Sequence, residues 1–246
     1  MEIMENQDLQ EYPSRVNKWK NQFSRWSHQR LHQKARTRSR QGLYEFLDPL
    51  FESIEPGMNV LQIGSDGEVY EKLLEKAAEN HFTVTTCDIV EEKNPDILGD
   101  LCTLDLGEEN YDVIVCSEVI EHLHSPHLAV DNMHRALKKG GKLIVTIPFM
   151  FPVHADPYDF VRYTKTGLKN LLKMFESVEV TERNSYFEAI DVLWVRTLYL
   201  KSDHSFILTR IIVPFVYYLK RPITLLLTKL FPSDAITTGY NVLAIK

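Results

Sequence analysis

The stretch NVLQIGSDGEVY, residues 59–70, runs from apolar residues through a glycine turn into what reads as a helix. A turn of this kind can cradle a phosphate or a nucleotide, because a glycine lets the chain bend tightly and approach a ligand that a Cβ would obstruct. Only Gly64 and Gly67 serve that purpose here, fewer glycines than such turns usually carry. A second dense stretch, PFMFPVHADPYDFVRYTKTGL at 148–168, gathers ionisable and aromatic side chains. His154 is its candidate proton acceptor, since an imidazole with an ordinary pKa near 6.5 is largely neutral at pH 7. Asp156 or Asp159 could orient that ring. Arg162 suits an anion or, three residues from Asp159, an ion pair that fixes the loop. Tyr163 offers a ring for stacking, and His124 and His127 in HLHSPH are rival bases.

Positioning these groups requires strands that end beside one another. MNVLQIG, FTVTTCDI, YDVIVCS and KLIVTI are short apolar or β-rich runs, the second ending in Asp88. Between them, EVYEKLLEKAAEN places Val69, Leu73, Leu74 and Ala77 on one helical face. HLAVDNMHRALKKGG turns Leu128, Ala129, Met133, Ala136 and Leu137 inward and is finished by Lys138, Lys139 and the stop signal Gly140-Gly141. This alternation predicts an α/β fold, a doubly wound, mostly parallel seven-stranded sheet with its ligand crevice at the strands' carboxyl ends. The core spans 56–183. Residues 1–55 form a basic helical arm ending in GLYEFLDPLFESI, with Leu43, Phe46, Leu47, Leu50 and Phe51 at helical spacing. Residues 184–234 read as an apolar helical insertion broken at Pro214 and Pro222, and 235–246 as a closing edge strand.

With 246 residues the chain buries a sizeable core without staples. Its three cysteines, Cys87, Cys102 and Cys116, form no CxxC pair, which argues against a zinc site or a disulfide framework. Metal forms no part of this reading. The acidic, polar amino terminus has no secretory h-region, and Arg210, Lys220, Arg221 and Lys229 interrupt the apolar runs of 206–231 before they could span a bilayer. A cytoplasmic protein is expected, with the inner face of the membrane within its reach.

Taken in order, Gly64, Asp88, Asp100 and SEVIEHL, followed by RALKKGGKLIVTIP, resemble the class I S-adenosylmethionine-dependent methyltransferases from Met58 to Phe149, and to Lys246 if the last strand is that family's antiparallel one. The resemblance implies S-adenosyl-L-methionine as cofactor. It assigns the turn around Gln62, Gly64 and Gly67 to the methionine side, Asp88 to the ribose hydroxyls, and Asp100 with the Leu101 amide to the adenine edge. Ser117 and Glu118 fall beneath the methionine part and the sulfonium. The chain departs from the family at Gln62, where an acid is common; a neutral amide still hydrogen-bonds but gives up Coulombic attraction to an amine. The 148–168 stretch is similar to a pattern in bacterial methyltransferases of surface-glycan and lipid-linked sugar synthesis, implying His154, Asp159 and Arg162 as catalytic residues and O-methylation of a sugar, lipid-linked glycan or other small molecule.

Two alternatives from other classes stand beside this: a degenerate, non-catalytic scaffold of the same fold, and a nicotinamide oxidoreductase, disfavoured because two glycines serve a pyrophosphate poorly. From Tyr12 to Tyr44 nine cations, Arg15 to Arg40, meet no acid, leaving the remainder at about −15. Pairing with that acidic body, binding of acceptor phosphates or anionic lipid, and binding of nucleic acid are open to the arm; nucleic acid is disfavoured because no known module is present. The segment 205–231 carries only positive charges among apolar residues, as in helices that lie on membranes, cover active sites or dimerise.

Overall fold

The computed structural model describes residues 40–154, 158–202 and 213–246. Seven strands form one sheet: β1 (Asn59–Ile63), β2 (Thr83–Asp88), β3 (Ile97–Leu98), β4 (Tyr111–Ser117), β5 (Leu137–Pro148), β6 (Ser177–Glu182) and β7 (Gly239–Ile245). The described helices are α1 (40–52), α2 (Glu68–Asn80), α3 (Pro126–Ala136), α4 (Lys165–Leu171), α5 (Tyr186–Ser202) and α6 (Val213–Leu230). The strand order is β3-β2-β1-β4-β5-β7-β6, parallel from β3 to β5, with β7 antiparallel to both of its neighbours.

Alternation along the strands divides the core into two layers. Val60, Val113, Val115 and Ile144 pack with Leu43, Leu47 and Phe51 of α1 and Leu73 of α2. Their neighbours Leu61, Ile114, Leu143 and Val145 face the opposite way, onto Ala129, Val130 and Met133 of α3 and Leu168 of α4. Helices thus cover both faces, as the sequence predicts for a mostly parallel, doubly wound sheet. The order reverses between β1 and β4, so the crevice opens where the ends of β1, β2, β4 and β5 meet.

Four local expectations are corrected. The last strand is not an edge: β7 is buried along most of its length between β5 and β6, and β6 takes the edge. The helix expected to run through Lys139 stops at Ala136. Leu137 pairs with Tyr111 and opens β5, while Lys138 Nζ bonds both oxygens of Asp112 at 2.9 and 2.8 Å. Leu74 and Leu128, placed inward by periodicity, are exposed. Pro222 does not break the insertion, since it lies within the continuing helix α6; Pro214 stands at the start of the described part of that helix, beside residues outside the described ones. The edge strand β3, two residues long, was too short to register as a period.

Residues 1–39, and with them eight of the nine arm cations, lie outside the described residues, as do Asp156 and residues 203–212. Arg40 is described. It bonds Glu68 at 2.8 Å, which ties α1 to the start of α2. Among the described residues no helix is long and apolar enough to cross a membrane.

Candidate functional site

The β1–α2 turn forms one wall of the crevice. Gly64 has φ +88, a conformation that L side chains avoid, and a Cβ placed there would meet nothing nearer than Val119 Cγ2 at 3.9 Å. Open space therefore lies beside it. Gly67 (φ +91) caps α2. Gln62 is buried; its Nε2 donates to the Ile63 carbonyl at 2.8 Å, and its Oε1 has no hydrogen-bond partner among the described residues. A buried amide oxygen without a donor is costly, and a ligand amine is the kind of group that would satisfy it.

Asp88, at the tip of β2, reaches toward that turn. Its Oδ2 accepts from Ser65 N–H at 3.0 Å and Ser65 Oγ at 3.1 Å, and its Oδ1 from Val90 N–H at 3.0 Å. Lys93 stands 3.5 Å away. Burial pushes this carboxyl up, but the two N–H donors and Lys93 outweigh it and hold it below the usual carboxylate range. An ionised carboxylate offers about four acceptor sites, so three bonds leave little spare capacity unless Ser65 yields. Asp100 follows β3 in a tight turn, its Oδ1 accepting from Cys102 N–H at 2.9 Å, and Leu101 buries its side chain while its carbonyl accepts from Asn132.

At the end of β4 the backbone turns sharply, with Glu118 at φ +55. Ser117 Oγ lies 2.7 Å from Thr146 Oγ1, and Thr146 Oγ1 donates to Glu118 Oε1 at 3.1 Å. Arg183, just beyond β6, donates to the same carboxylate at 2.5 Å from a side chain that is 4 % exposed. Burial raises Glu118, yet the guanidinium and the hydroxyl bring it below its ordinary value. Glu118 is therefore held toward Thr146 and Arg183. Arg183 was not singled out in the sequence because it lies 65 residues from its partner and in no recognisable pattern.

On the opposite rim, the loop after β5 folds back onto the 3₁₀ turn Ile120–His122, and Phe160 N–H donates to the Glu121 carbonyl at 2.8 Å. Asp159 accepts from both terminal nitrogens of Arg162 and from His154 N–H at 2.9 Å; these bonds, Arg162 above all, hold it well below the carboxylate range. His154 Nδ1 lies 3.3 Å from Asp159 Oδ2, and its ring meets that of His122 edge-on at 5.0 Å. Burial keeps the His154 imidazole below its ordinary pKa and hence neutral near pH 7. Tyr163, expected to offer a stacking face, packs against the core instead. His124 and His127 are exposed, and His124 lies beside Asp100 and Cys102.

Glu121 and His122 read from the sequence as helix-start residues with local hydrogen bonds, and the structure places Glu121 otherwise. Glu121 is 0 % exposed, its two carboxylate oxygens have no hydrogen-bond partner among the described residues, and burial together with nearby Glu118 drives it well above the carboxylate range.

A mostly parallel sheet with a glycine turn after its first strand, an acid at the second strand's tip and ionisable groups over the fourth and fifth strands is the architecture of a Rossmann-like fold with a crevice at its switch point. The sequence matches a family described as a methyltransferase domain over residues 14–187, and the chain belongs to that family. No curated protein matches it in sequence. Among solved structures, a methyltransferase of Archaeoglobus fulgidus, described as S-adenosylmethionine-dependent, is 16% identical with a TM-score of 0.52, covering 82% of this chain and 91% of its own. A putative sarcosine dimethylglycine methyltransferase from Galdieria sulphuraria is 12% identical at 0.52, with 84% of each chain covered. A Haemonchus contortus phosphoethanolamine N-methyltransferase, solved with phosphomonomethylethanolamine and S-adenosylhomocysteine, is 15% identical at 0.50; the alignment covers 84% of this chain but only 52% of that one. These likenesses concern the fold.

Proposed function

We propose that the chain is an S-adenosylmethionine-dependent methyltransferase acting on an oxygen of a sugar, a lipid-linked glycan or another small molecule. The observation that carries this is the pairing, at the sheet's switch point, of open space beside Gly64 with the unpartnered buried Oε1 of Gln62. The residues fit the cofactor. Gln62 Oε1 accepts from its amine, Asp88 takes a ribose hydroxyl in place of Ser65 Oγ, and Asp100 with the Leu101 amide meets the adenine edge. Ser117 and Glu118 border the methionine side. When bound, S-adenosylmethionine supplies a methyl group already activated on a cationic sulfur.

What remains for the protein is orientation and the acceptor's proton. Holding two reactants in line is worth roughly 7 to 11 kcal/mol, and a positioned base about 10²- to 10⁴-fold. His154, neutral and steered by the Asp159–Arg162 pair, is the base of this reading. The exposed rings of Tyr158 and Phe160 at the loop's surface offer faces for a sugar. The test is methyl transfer to a panel of sugar hydroxyls and small amines, read by mass. Transfer to hydroxyls supports the proposal; transfer confined to amines refutes the oxygen assignment.

A route for the acceptor is supported by α6. Leu219, Ile223, Leu226 and Leu230 fall on one exposed face of a helix that exposes Arg221 and Lys229 and carries no acid, while Lys220 turns inward to Asp191 at 3.7 Å. Such a face suits an anionic membrane surface carrying a lipid-linked acceptor. Flotation with anionic vesicles at low salt should recover the chain; a chain left in the bottom fraction excludes this route. The non-catalytic alternative draws on the internal bonds of Asp88 and predicts no heat with millimolar cofactor.

A further inference from the structure

Glu121, His122 and His154 bring one carboxylate and two imidazoles together over the ends of β4 and β5, with their ligand atoms all within 4.8 Å of one another. Glu121 Oε1 lies 3.6 Å from His122 Nε2 and 3.9 Å from His154 Nε2. Neighbouring ligands of a tetrahedral ion held at about 2.1 Å stand about 3.4 Å apart, so the three atoms already surround a point where a cation fits with small adjustment.

The far side of the His122 ring is fixed in the manner of a metal-bound histidine. His122 Nδ1 lies 2.8 Å from the Tyr158 carbonyl, which can only accept, so that nitrogen carries the proton and Nε2 keeps its lone pair. His154 is anchored through its backbone N–H, which donates to Asp159 at 2.9 Å; its Nδ1 stands 3.3 Å from Asp159 Oδ2 without a hydrogen bond among the described residues, and its Nε2 faces Glu121. The nearest fixed cations are already committed, Arg162 to Asp159 and Arg183 to Glu118. That leaves a fully buried carboxylate with both oxygens unpartnered among the described residues, the His122 lone pair and the His154 Nε2 beside it.

We propose that Glu121, His122 and His154 bind a divalent transition cation with positions open to the acceptor. Two imidazoles and a carboxylate suit zinc or manganese better than magnesium or calcium. The inference rests on the methyltransferase reading for what the cation acts on, and it changes that reading's chemistry. His154 then serves the acceptor as a metal ligand. The acceptor oxygen enters an open position and its O–H bond weakens; the electron pair stays on oxygen and the proton leaves to water.

The test uses the full chain, stripped with a chelator, dialysed against Zn²⁺, Mn²⁺ or Mg²⁺ separately, and assayed for bound metal by mass spectrometry. One Zn²⁺ or Mn²⁺ per chain is expected, with little Mg²⁺. Glu121→Gln, His122→Ala and His154→Ala should each weaken uptake by more than about 100-fold, and Asp159→Asn, outside the ligand set, by about 10- to 100-fold. His124→Ala should leave it unchanged, although His124 belongs to a second cluster with Asp100 and Cys102. Circular dichroism identifies any variant that fails to fold. His122→Ala, whose side chain is partly exposed, keeps the test alive if Glu121→Gln does not fold. Uptake that follows His124 rather than His122, or a wild-type chain that binds S-adenosylhomocysteine but retains no cation, overturns the inference; the latter leaves the methyltransferase reading standing. Uptake through His122 without S-adenosylhomocysteine binding supports the cation and counts against the methyltransferase reading.

Discussion

Replacing Arg183 with methionine should destabilise the protein by about 2 to 3 kcal/mol at pH 7, for reasons visible around its guanidinium. The side chain is 4 % exposed and its Nη2 sits 2.5 Å from Glu118 Oε1. Removing one member of a buried pair generally costs about 3 to 5 kcal/mol, because the other charge stays desolvated without its partner. Glu118 keeps 30% of its side-chain surface in solvent, so water recovers part of that loss and the lower figure applies. Methionine fills most of the aliphatic volume, which separates the charge effect from a cavity. Urea unfolding of wild type, Arg183→Met, Glu118→Gln and the double variant completes the cycle. Since Glu118→Gln removes the stranded charge, the double variant should be more stable than the sum of the single losses predicts, by about 1 to 2 kcal/mol. Strict additivity, or a loss below about 0.5 kcal/mol for Arg183→Met, would refute the view that this pair holds the end of β4.

Gly64→Ala should cost about 1 to 3 kcal/mol through its positive φ and, because the added methyl group enters the space beside Val119, weaken cofactor binding; unchanged binding in calorimetry would remove Gly64 from the crevice wall. A Cβ at Gly42 would fall 1.7 Å from the Arg183 carbonyl oxygen, so Gly42→Ala should displace α1 and lower stability by about 3 kcal/mol; a melting temperature equal to wild type would contradict that docking. Asp88 is held below its ordinary pKa, so its contribution is present above about pH 4 and fades as pH falls through its lower folded value. The stability gap between wild type and Asp88→Asn should accordingly narrow from pH 7 to pH 3, and a gap that stays constant argues against the Ser65 and Val90 bonds as its source.

The sheet was readable because β1, β2, β4, β5 and β7 have clear punctuation, and the tips of β1, β2 and β4 placed Gly64, Asp88 and Ser117; Asp100 lies beyond β3, which the sequence did not show. What escaped depended on contacts between distant positions. Lys138 and Lys139 look like a helix terminus until Asp112 and the pairing of Leu137 with Tyr111 draw them into β5. TTGYNVLAIK alternates like an edge strand, yet β6 returns outside it. Glu121 and His122 read as the start of a helix with local bonds; nothing in SEVIEHL shows that the glutamate is sealed in or that His154, 32 residues beyond His122, closes over it. The lack of a CxxC pair pointed away from metal, but that signal concerns thiolate sites and is silent on an oxygen-and-imidazole set.

The central claim is that the β1–β2–β4 tips form a working cofactor site despite Gln62 and the internally bonded Asp88. Calorimetric titration of the intact chain with S-adenosylhomocysteine tests it most directly. Saturable binding of one ligand per chain, lost in a folded Asp88→Ala variant, is the predicted result; no heat at millimolar ligand, or binding that Asp88→Ala leaves untouched, would contradict it.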